Sequence, residues 1–323
     1  MRPAKSFTME VVVIYPVMLL VGLAISASSA FACEGRLLNN EGIVGAPVCV
    51  PQNPQRIATL DPFYNFQMAA SMGLPLVATA RSGAEIPGPI RDMLPAEVLE
   101  QMVDLGQFQD PDVEQLIASA PDLILGDAFM HGDVRTLLNQ IAPTVLTLQP
   151  SWKDYMRTIA QAAGREDIAE AQLAAYQKDV STLRKKLPAG ETLSFVRLVP
   201  GGFQVYVEGP AAYAPFAVIA ETGLKRSAFE TVSDDTVLKR PTMEGLLQLT
   251  GRTLIYTVGG GHDELTQSDL IAEVMAHPIW QEIPAVKAGR AFEVDADVWM
   301  AFGGLHSARA ILQDLEQIYL QPG

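Results

Sequence analysis

The feature that most constrains the fold is a pattern that occurs twice along the chain. The stretch DVEQLIASAPDLILGD begins at Asp112, and TMEGLLQLTGRTLIYTV begins at Thr242. Each reads as an acid near a helix start, a short apolar helix, a break and an apolar strand. Helical spacing followed by an apolar strand is typical of α/β units with parallel sheets. The repetition therefore predicts two α/β lobes of similar plan, with a cleft between them.

Further strand and helix patterns extend both halves. QRIATL and LPLVATA predict strands around the helix QMAASMG, which ends at Gly73, and PDLILGD and PTVLTL predict two more strands. Asp110 is expected to cap the helix that follows it, with Pro111 in the first turn. In the second half, TLSFVRLV and FQVYVEG predict strands before a helix that ends at Gly223. The order of the first half is therefore expected to repeat.

The middle of the chain predicts one long connecting helix. From Trp152 to Leu187 the pattern is helical, with a break at Gly164. The piece that begins at Glu166 has apolar residues at helical spacing, acids early and basic residues late, which suits the helix dipole. The expected divisions are an N-terminal lobe over 33–150, a helical region over 151–187 and a C-terminal lobe over 188–323.

The first residues have the pattern of a secretory signal peptide over 1–32. Arg2 and Lys5 precede the apolar run VVVIYPVMLLVGLAIS, and small residues follow at Ala30 and Ala32. A membrane anchor is the alternative, but the run is short for the ~20 residues that span a bilayer. The sequence therefore predicts export to the periplasm.

The two cysteines of the chain are Cys33 and Cys49. Close cysteines pair in the oxidising compartment that an exported chain enters, so we expect a disulfide between them. Closing a loop of this size is worth roughly 3 kcal/mol. Cleavage after Ala32 would also leave Cys33 at the mature N-terminus, where a lipid anchor could be attached. The disulfide and the lipid anchor exclude each other.

Charge and motifs exclude several function classes. The formal net charge of −14 argues against nucleic acid or anionic lipid as the main partner. His131, His262, Asp263 and Glu264 lack the paired spacing of a metal site, so no metal is expected. The chain has no G-x-S-x-G nucleophile elbow, and a secreted α/β hydrolase is only a remote alternative.

Several stretches together resemble a known family. NPQRIATLD, DLGQFQDPDVEQLIASAPDLILGD and HPIWQEIPAVKAGRAFEVDADVWMAFGGLHSARAILQDL, with the long middle helix, are similar to the periplasmic iron-siderophore binding proteins of ABC importers. The resemblance implies an α/β fold of two Rossmann-like lobes joined by one long α-helix. It also implies a monomer without a cofactor or enzymatic activity, which captures a ferric chelate in the cleft and delivers it to a membrane permease.

The resemblance assigns a role to two glutamates. The family places one glutamate on each lobe to meet arginines of the permease, and Glu114 and Glu244 fall on those positions. Two similar lobes would then present two similar carboxylates to a two-fold partner. The alternative is that each acid only complements the dipole at a helix N-terminus.

Candidates for ligand contact come from the loops after the predicted strands and from the DVWMAFGG stretch. A bulky ferric chelate needs flat aromatic walls and a few cations. The candidate residues are Tyr64, Arg81, Arg197, Tyr213, Trp299 and Phe302. Core packing of each aromatic residue and a surface role for each arginine remain open.

The class of chelate stays unassigned. Similar catecholate receptors set arginines in several cleft loops, whereas DAFMHG, GPAAYAPF and VGGGHDE contain none. Phe108 also stands where hydroxamate receptors can place an arginine. Haem or cobalamin is the alternative ligand, because Tyr64 or the FMHG segment at 129–132 could offer an iron ligand.

Overall fold

The computed structural model describes residues 33–83, 91–149, 151–259 and 267–320. The expected signal peptide, residues 1–32, lies outside the described residues. Within these ranges, no helix is both long enough and apolar enough to cross a membrane. The described chain forms two large β-sheets with helices packed around them, a long helix that connects the two, and a small two-stranded sheet near its start.

The first sheet has five parallel strands in the order β5-β4-β3-β6-β7. The central strands are buried apolar runs, as expected for a parallel sheet covered on both faces. The chain moves outward from β3 in one direction and then resumes at β6 on the other side. Ligands bind outside the carboxyl ends of the strands at such a reversal. The strands are β3 Ile57–Thr59, β4 Leu76–Arg81, β5 Val103–Gln107, β6 Leu123–Asp127 and β7 Thr144–Thr147.

Helices follow the strands of this first lobe. The expected helix cap at Asp110 is wrong, because Asp112 caps α3. Its carboxylate accepts hydrogen bonds from the backbone N–H groups of Glu114 at 2.9 Å and Gln115 at 3.1 Å. A cap side chain reaches these groups only from the position directly before the helix, and Asp110 lies in the preceding turn. The helices are α1 Tyr64–Ser71, α2 Ala96–Gln101, α3 Val113–Ala118, α4 Ala128–His131 and α5 Arg135–Ile141.

The connecting region consists of α6 Trp152–Ala163 and α7 Glu166–Lys186. Gly164 separates them in the left-handed conformation, with φ of 68°, as the sequence predicts. The 21 residues of α7 give it a length of roughly 30 Å. One face of α7 is buried, formed by Ala169, Leu173, Tyr176, Val180 and Leu183.

The N-terminal arm is fixed to this region. Strands β1 Arg36–Leu38 and β2 Val48–Val50 pair antiparallel, and a disulfide joins Cys33 to Cys49. The Arg36 guanidinium donates to the carbonyl oxygens of Gln161 and Ala162 at the C-terminal end of α6. A cation is favourable there because it complements the negative end of the helix dipole.

The second sheet runs β11-β9-β8-β12-β13, and β10 also pairs with β8. It is only partly the copy of the first sheet that the repeated pattern predicts. Strand β9 is antiparallel to β8, because Gly201 adopts a φ of 75° in a tight turn between them. The strands are β8 Thr192–Val199, β9 Gly202–Tyr206, β10 Lys225–Arg226, β11 Leu238–Lys239, β12 Thr253–Val258 and β13 Ala291–Glu293.

The helices of the second lobe also depart from the repeat. The segment Glu244–Gln248 is a 3₁₀ turn, whereas its counterpart in the first lobe is α-helical. Helix α8 ends at Gly223, with φ of 85°, as predicted. The helices are α8 Ala214–Thr222, α9 Gln267–Ala276, α10 Pro278–Glu282, α11 Pro284–Lys287, α12 Ala296–Trp299 and α13 Leu305–Leu320.

The two lobes share a continuous apolar core. One cluster of buried side chains includes Phe66 and Met68 from α1 together with Phe195 from β8 and Trp299. Polar contacts add to it, because the Gln67 side chain donates to the Ala301 carbonyl at 3.1 Å. The α/β fold with two lobes joined by one long helix is thereby confirmed, and the lobes also meet directly below the cleft.

Candidate ligand-binding cleft

The cleft between the lobes contains two adjoining cavities of about 470 and 580 Å³. Tyr64, Asp127 and Tyr213 line both, so the cavities are two parts of one site. The first lobe supplies one wall from the carboxyl ends of β3 and β6. The second lobe supplies the other from β8, β9 and the loop before α8. The site therefore lies at the strand reversal, where an α/β fold binds ligands.

Tyr64 and Tyr213 face each other across the site from opposite lobes. Tyr64 begins α1 directly after β3, and its ring stacks on Tyr155 with centroids 4.9 Å apart. Tyr213 stands at the start of α8, where its hydroxyl donates to the Met300 carbonyl at 3.0 Å. Both predicted side chains line the cleft, where they supply flat, partly exposed surfaces.

Phe302 and Trp299 come from the same sequence stretch but lie in different surroundings. Phe302 is also almost fully buried, with 1% of its surface exposed, but it contributes to the wall of the larger cavity, with its ring centroid 6.2 Å from that of Tyr64. Trp299 is fully buried, stacks on Phe195 at 5.6 Å and donates from its indole nitrogen to Asp314 at 2.8 Å. The expectation that Trp299 faces the ligand is therefore corrected, because its ring is enclosed in the core.

The two candidate arginines also differ in their position relative to the cleft. Arg197, on β8, lines the larger cavity, and its Nε donates to the Gly259 carbonyl at 2.7 Å. Arg81 is not among the described residues that line either cavity. Its Nε lies 3.0 Å from an Asp104 carboxylate oxygen, so the guanidinium is drawn toward β5. The structure brings Arg197 into the site and leaves Arg81 outside it.

Two aspartates in the cleft wall were missed in the sequence. Asp61 follows β3 and accepts hydrogen bonds from the backbone and side chain of Asn65. Asp127 ends β6 and accepts from the N–H groups that begin α4, with its second oxygen 3.4 Å from the Tyr155 hydroxyl. Tyr155 in turn accepts from the Asn65 amide at 2.9 Å. A chain of hydrogen bonds thus holds both carboxylates in place.

A signal for these aspartates was present in the loops DPFYNF and DAFMHG, each of which begins with the acid. An aspartate directly after an apolar strand and before a helix can cap that helix and still face the site. Apolar side chains form the same wall, and the sequence named Phe108 and the FMHG segment only in other roles. They are Phe63, Phe108, Phe129 and Met130, with Met300 opposite.

Burial changes the protonation of the cleft. It raises the pKa of Asp61, because a charged carboxylate is costly away from water. Burial also raises the pKa of Tyr64, and the nearby Asp127 and Asp61 add to this shift. The pKa values of Tyr155 and Tyr213 are raised for the same main reason. The raised pKa values keep these phenols protonated at neutral pH.

His131 does not offer a metal ligand to the site. It is buried, with Nε2 2.9 Å from the Phe108 carbonyl and Nδ1 in contact with the Asp127 backbone. Both ring nitrogens are thus already engaged. The described residues contain no group of three or more metal-binding side chains, and His262, Asp263 and Glu264 lie outside them.

Glu114 and Glu244 lie away from the cleft surface. Both are exposed, Glu114 in the first turn of α3 and Glu244 at the start of the 3₁₀ turn of the second lobe. Hydrogen bonds from its own backbone N–H and the Thr242 hydroxyl lower the pKa of Glu244. Neither residue lines the cavities, so both carboxylates are available to another molecule.

Comparison with known families decides the class of this protein. Residues 57–298 match the family described as periplasmic binding protein, which covers both lobes and the connecting helix. The chain belongs to that family. Membership confirms the expectation of a binding protein rather than an enzyme, and it places this binding protein outside the cytoplasmic membrane.

Individual relatives agree with the family. This binding protein is 26% identical over 305 residues to the probable siderophore-binding lipoprotein YfiY of Bacillus subtilis, covering 92% of each chain. It is 23% identical over 309 residues to the Fe(3+) dicitrate-binding periplasmic protein FecB of Escherichia coli, covering 93% of this chain and 95% of that one. Among solved structures, Staphylococcus aureus SirA complexed with staphyloferrin B superposes with a TM-score of 0.71 at 21% identity, over 83% of this chain and 94% of that one.

Proposed function

We propose that this protein captures a ferric siderophore in the cleft and delivers it to the permease of an ABC importer. The observation that carries the proposal is an aromatic-walled cleft between the lobes of a periplasmic binding protein. The two cavities together suit a bulky chelate, and relatives over nearly the whole chain are named for ferric complexes. No cofactor is needed, because the iron arrives already bound by the siderophore.

Capture rests on residues from both lobes. Tyr64 and Tyr213 offer ring faces to the chelate, and Phe302 contributes to the wall of the larger cavity, while the Tyr213 hydroxyl stays bonded to the Met300 carbonyl. Arg197 provides a cation at the wall of the second lobe. Rings with two rotatable bonds lose little conformational entropy on binding, so such walls favour a large, partly apolar ligand.

Delivery uses a different surface. Glu114 and Glu244 are proposed to pair with arginines of a two-fold permease, one carboxylate from each lobe. Their exposure supports this role, since an intermolecular ion pair needs side chains that are free of the core. The protein acts as a monomer that presents both lobes to one permease.

Export precedes both steps. Residues 1–32 are proposed to act as a signal peptide that is removed on arrival in the periplasm. The disulfide between Cys33 and Cys49 uses the sulfur that a thioether-linked lipid would need. This favours a mature protein that is free in the periplasm over one that is anchored at Cys33.

The test is a binding titration of the exported protein by calorimetry. The panel contains ferric hydroxamates, ferric catecholates, ferric citrate, haemin and cobalamin. Saturable one-to-one binding of one ferric chelate class supports the proposal. If haemin bound and shifted its Soret absorbance band while no ferric chelate bound, the protein would instead be a haem receptor. Failure of every compound to bind would refute ligand capture by this cleft.

A further inference from the structure

The charges that line the cleft are unbalanced toward the negative. Asp61 and Asp127 stand on the wall of the first lobe, and Arg197 is the one cation among the described residues that line either cavity. Glu221 also lines the smaller cavity, but Lys153 neutralises it at 2.8 Å. The wall that receives a ligand thus contains two acids against one base.

The single guanidinium is already committed to the protein. Arg197 donates from Nε to Gly259 at 2.7 Å and from Nη1 to the Gln204 side chain at 3.3 Å. These bonds tie β8 to its two neighbouring strands and fix the planar group against the wall. Part of its hydrogen-bonding capacity therefore serves the sheet.

Two segments outside the described residues add no lysine or arginine. Segments 84–90 and 260–266 lie outside the described residues, and their sequences contain no lysine or arginine. They contain the acids Glu85, Asp263 and Glu264. These two segments therefore contribute no permanently cationic side chain.

Apolar surface dominates the opening of the larger cavity. Phe63 and Phe108 pack edge to face with centroids 5.3 Å apart, and Met130 and Met300 line the same cavity. Phe129 is 88% exposed on the short helix α4. An exposed phenylalanine in the wall of a binding cleft favours a ligand whose hydrocarbon segments can cover it.

We propose that the cleft takes a ferric chelate of zero or positive net charge, of the trihydroxamate type, and discriminates against anionic catecholate and citrate complexes. The inference rests on the proposed function. Three singly charged hydroxamates neutralise ferric iron, whereas three doubly charged catecholates leave a triply negative complex. The acids on the wall of the first lobe repel the anionic catecholate complex. They attract a trihydroxamate complex that has a protonated amine.

The sharpest test compares two chelates that differ only in charge. Ferrioxamine B is a trihydroxamate complex with a protonated amine, and its N-acetylated form is neutral. Calorimetry with the exported protein is expected to show binding of both, with the amine form tighter by roughly fivefold because of its attraction to the acidic wall. Ferric citrate and a ferric tricatecholate are expected to bind at least 100-fold more weakly than either, on the order of the penalty for a like charge in a partly buried site.

A pair of variants ties the preference to the wall. Asp127→Asn removes the charge but keeps an oxygen that can cap α4, so the fold should be retained. It is expected to abolish the preference for the amine form while the neutral form still binds. Asp133→Asn is the matched control, because it makes the same change at an exposed residue that does not line the cavities.

Each outcome separates the inference from the proposed function. Tighter binding of citrate or catecholate complexes than of both trihydroxamates would overturn the inference and leave siderophore capture intact. An amine preference that survives in Asp127→Asn, or that is lost equally in Asp133→Asn, would overturn the assignment to the acidic wall. The absence of binding to every ferric chelate would refute the proposed function itself.

Discussion

Trp299 provides the most direct test of which aromatic residues contact the ligand and which stabilise the core. We expect Trp299→Phe to destabilise the protein without changing its affinity for a ferric chelate. The indole is fully buried against Phe195, and its nitrogen donates to Asp314 at 2.8 Å. Phenylalanine keeps the aromatic contact but loses the hydrogen bond and part of the packed volume.

The expected loss follows from these two contacts. A hydrogen bond to a charged acceptor contributes about 1.5 to 3 kcal/mol. The volume removed from the core adds on the order of 1 kcal/mol, which is a fraction of the cost of a full truncation to alanine. The free energy of unfolding should therefore fall by about 3 kcal/mol. For a chain of this size that corresponds to a drop in Tm of roughly 5 °C, since the unfolding entropy near Tm is about 2.1 cal/mol/K per residue.

The assay is thermal and urea unfolding followed by circular dichroism, with calorimetric titration of the chelate on the same samples. Trp280→Phe is the matched control, since it removes the same atoms from another fully buried tryptophan that does not line the cleft. A double-mutant cycle with Asp314→Asn isolates the hydrogen bond. If Trp299→Phe weakened chelate binding tenfold while Tm stayed constant, the placement of this ring in the core would be wrong.

Three further predictions concern docking, pH and the disulfide. Glu114→Ala and Glu244→Ala should each impair uptake of the iron complex by cells while affinity stays within twofold of wild type; a parallel loss of affinity would contradict separate surfaces. Burial raises the pKa of Asp61, so the folded state loses stability relative to the unfolded state as the pH rises from about 4, the pKa of a free carboxyl, through the raised pKa. The Tm difference between Asp61→Asn and wild type should therefore shift in favour of the variant between about pH 4 and pH 7, and no shift would refute the buried charge. Replacing Cys33 and Cys49 with serine should lower the free energy of unfolding by roughly 3 kcal/mol in urea titrations, with wild type in reductant as the comparison.

Local backbone chemistry made much of the fold predictable. Gly164 and Gly223 end helices in the left-handed conformation, which glycine adopts at little cost, and both were identified from sequence. The apolar runs of β6 and β12 were recognisable because both faces of a parallel strand are covered. Features that a few neighbouring residues determine were therefore accessible.

Features that depend on distant contacts were not accessible. The antiparallel course of β9 is a separate case, because the tight turn at Gly201 is a local signal that the prediction from the repeat overlooked. Trp299 and Phe302 share one stretch, yet only tertiary packing decides that the first is enclosed and the second lines the cleft. Arg81 ends β4 and Arg197 lies within β8. An ion pair with Asp104 on β5 keeps Arg81 outside the cleft, and the sequence does not show that contact.

The core shared by the two lobes has a consequence for how loaded and empty copies of the protein meet the permease. Buried side chains of α1 pack in one cluster with those of β8, and Gln67 bonds across to Ala301, so the lobes cannot swing widely apart. With the proposed docking carboxylates outside the cleft, we expect the empty protein to offer the permease nearly the same face as the loaded one. Unloaded copies would then compete for the importer, and the rate of iron uptake would depend on the fraction of receptors that are filled rather than on their number.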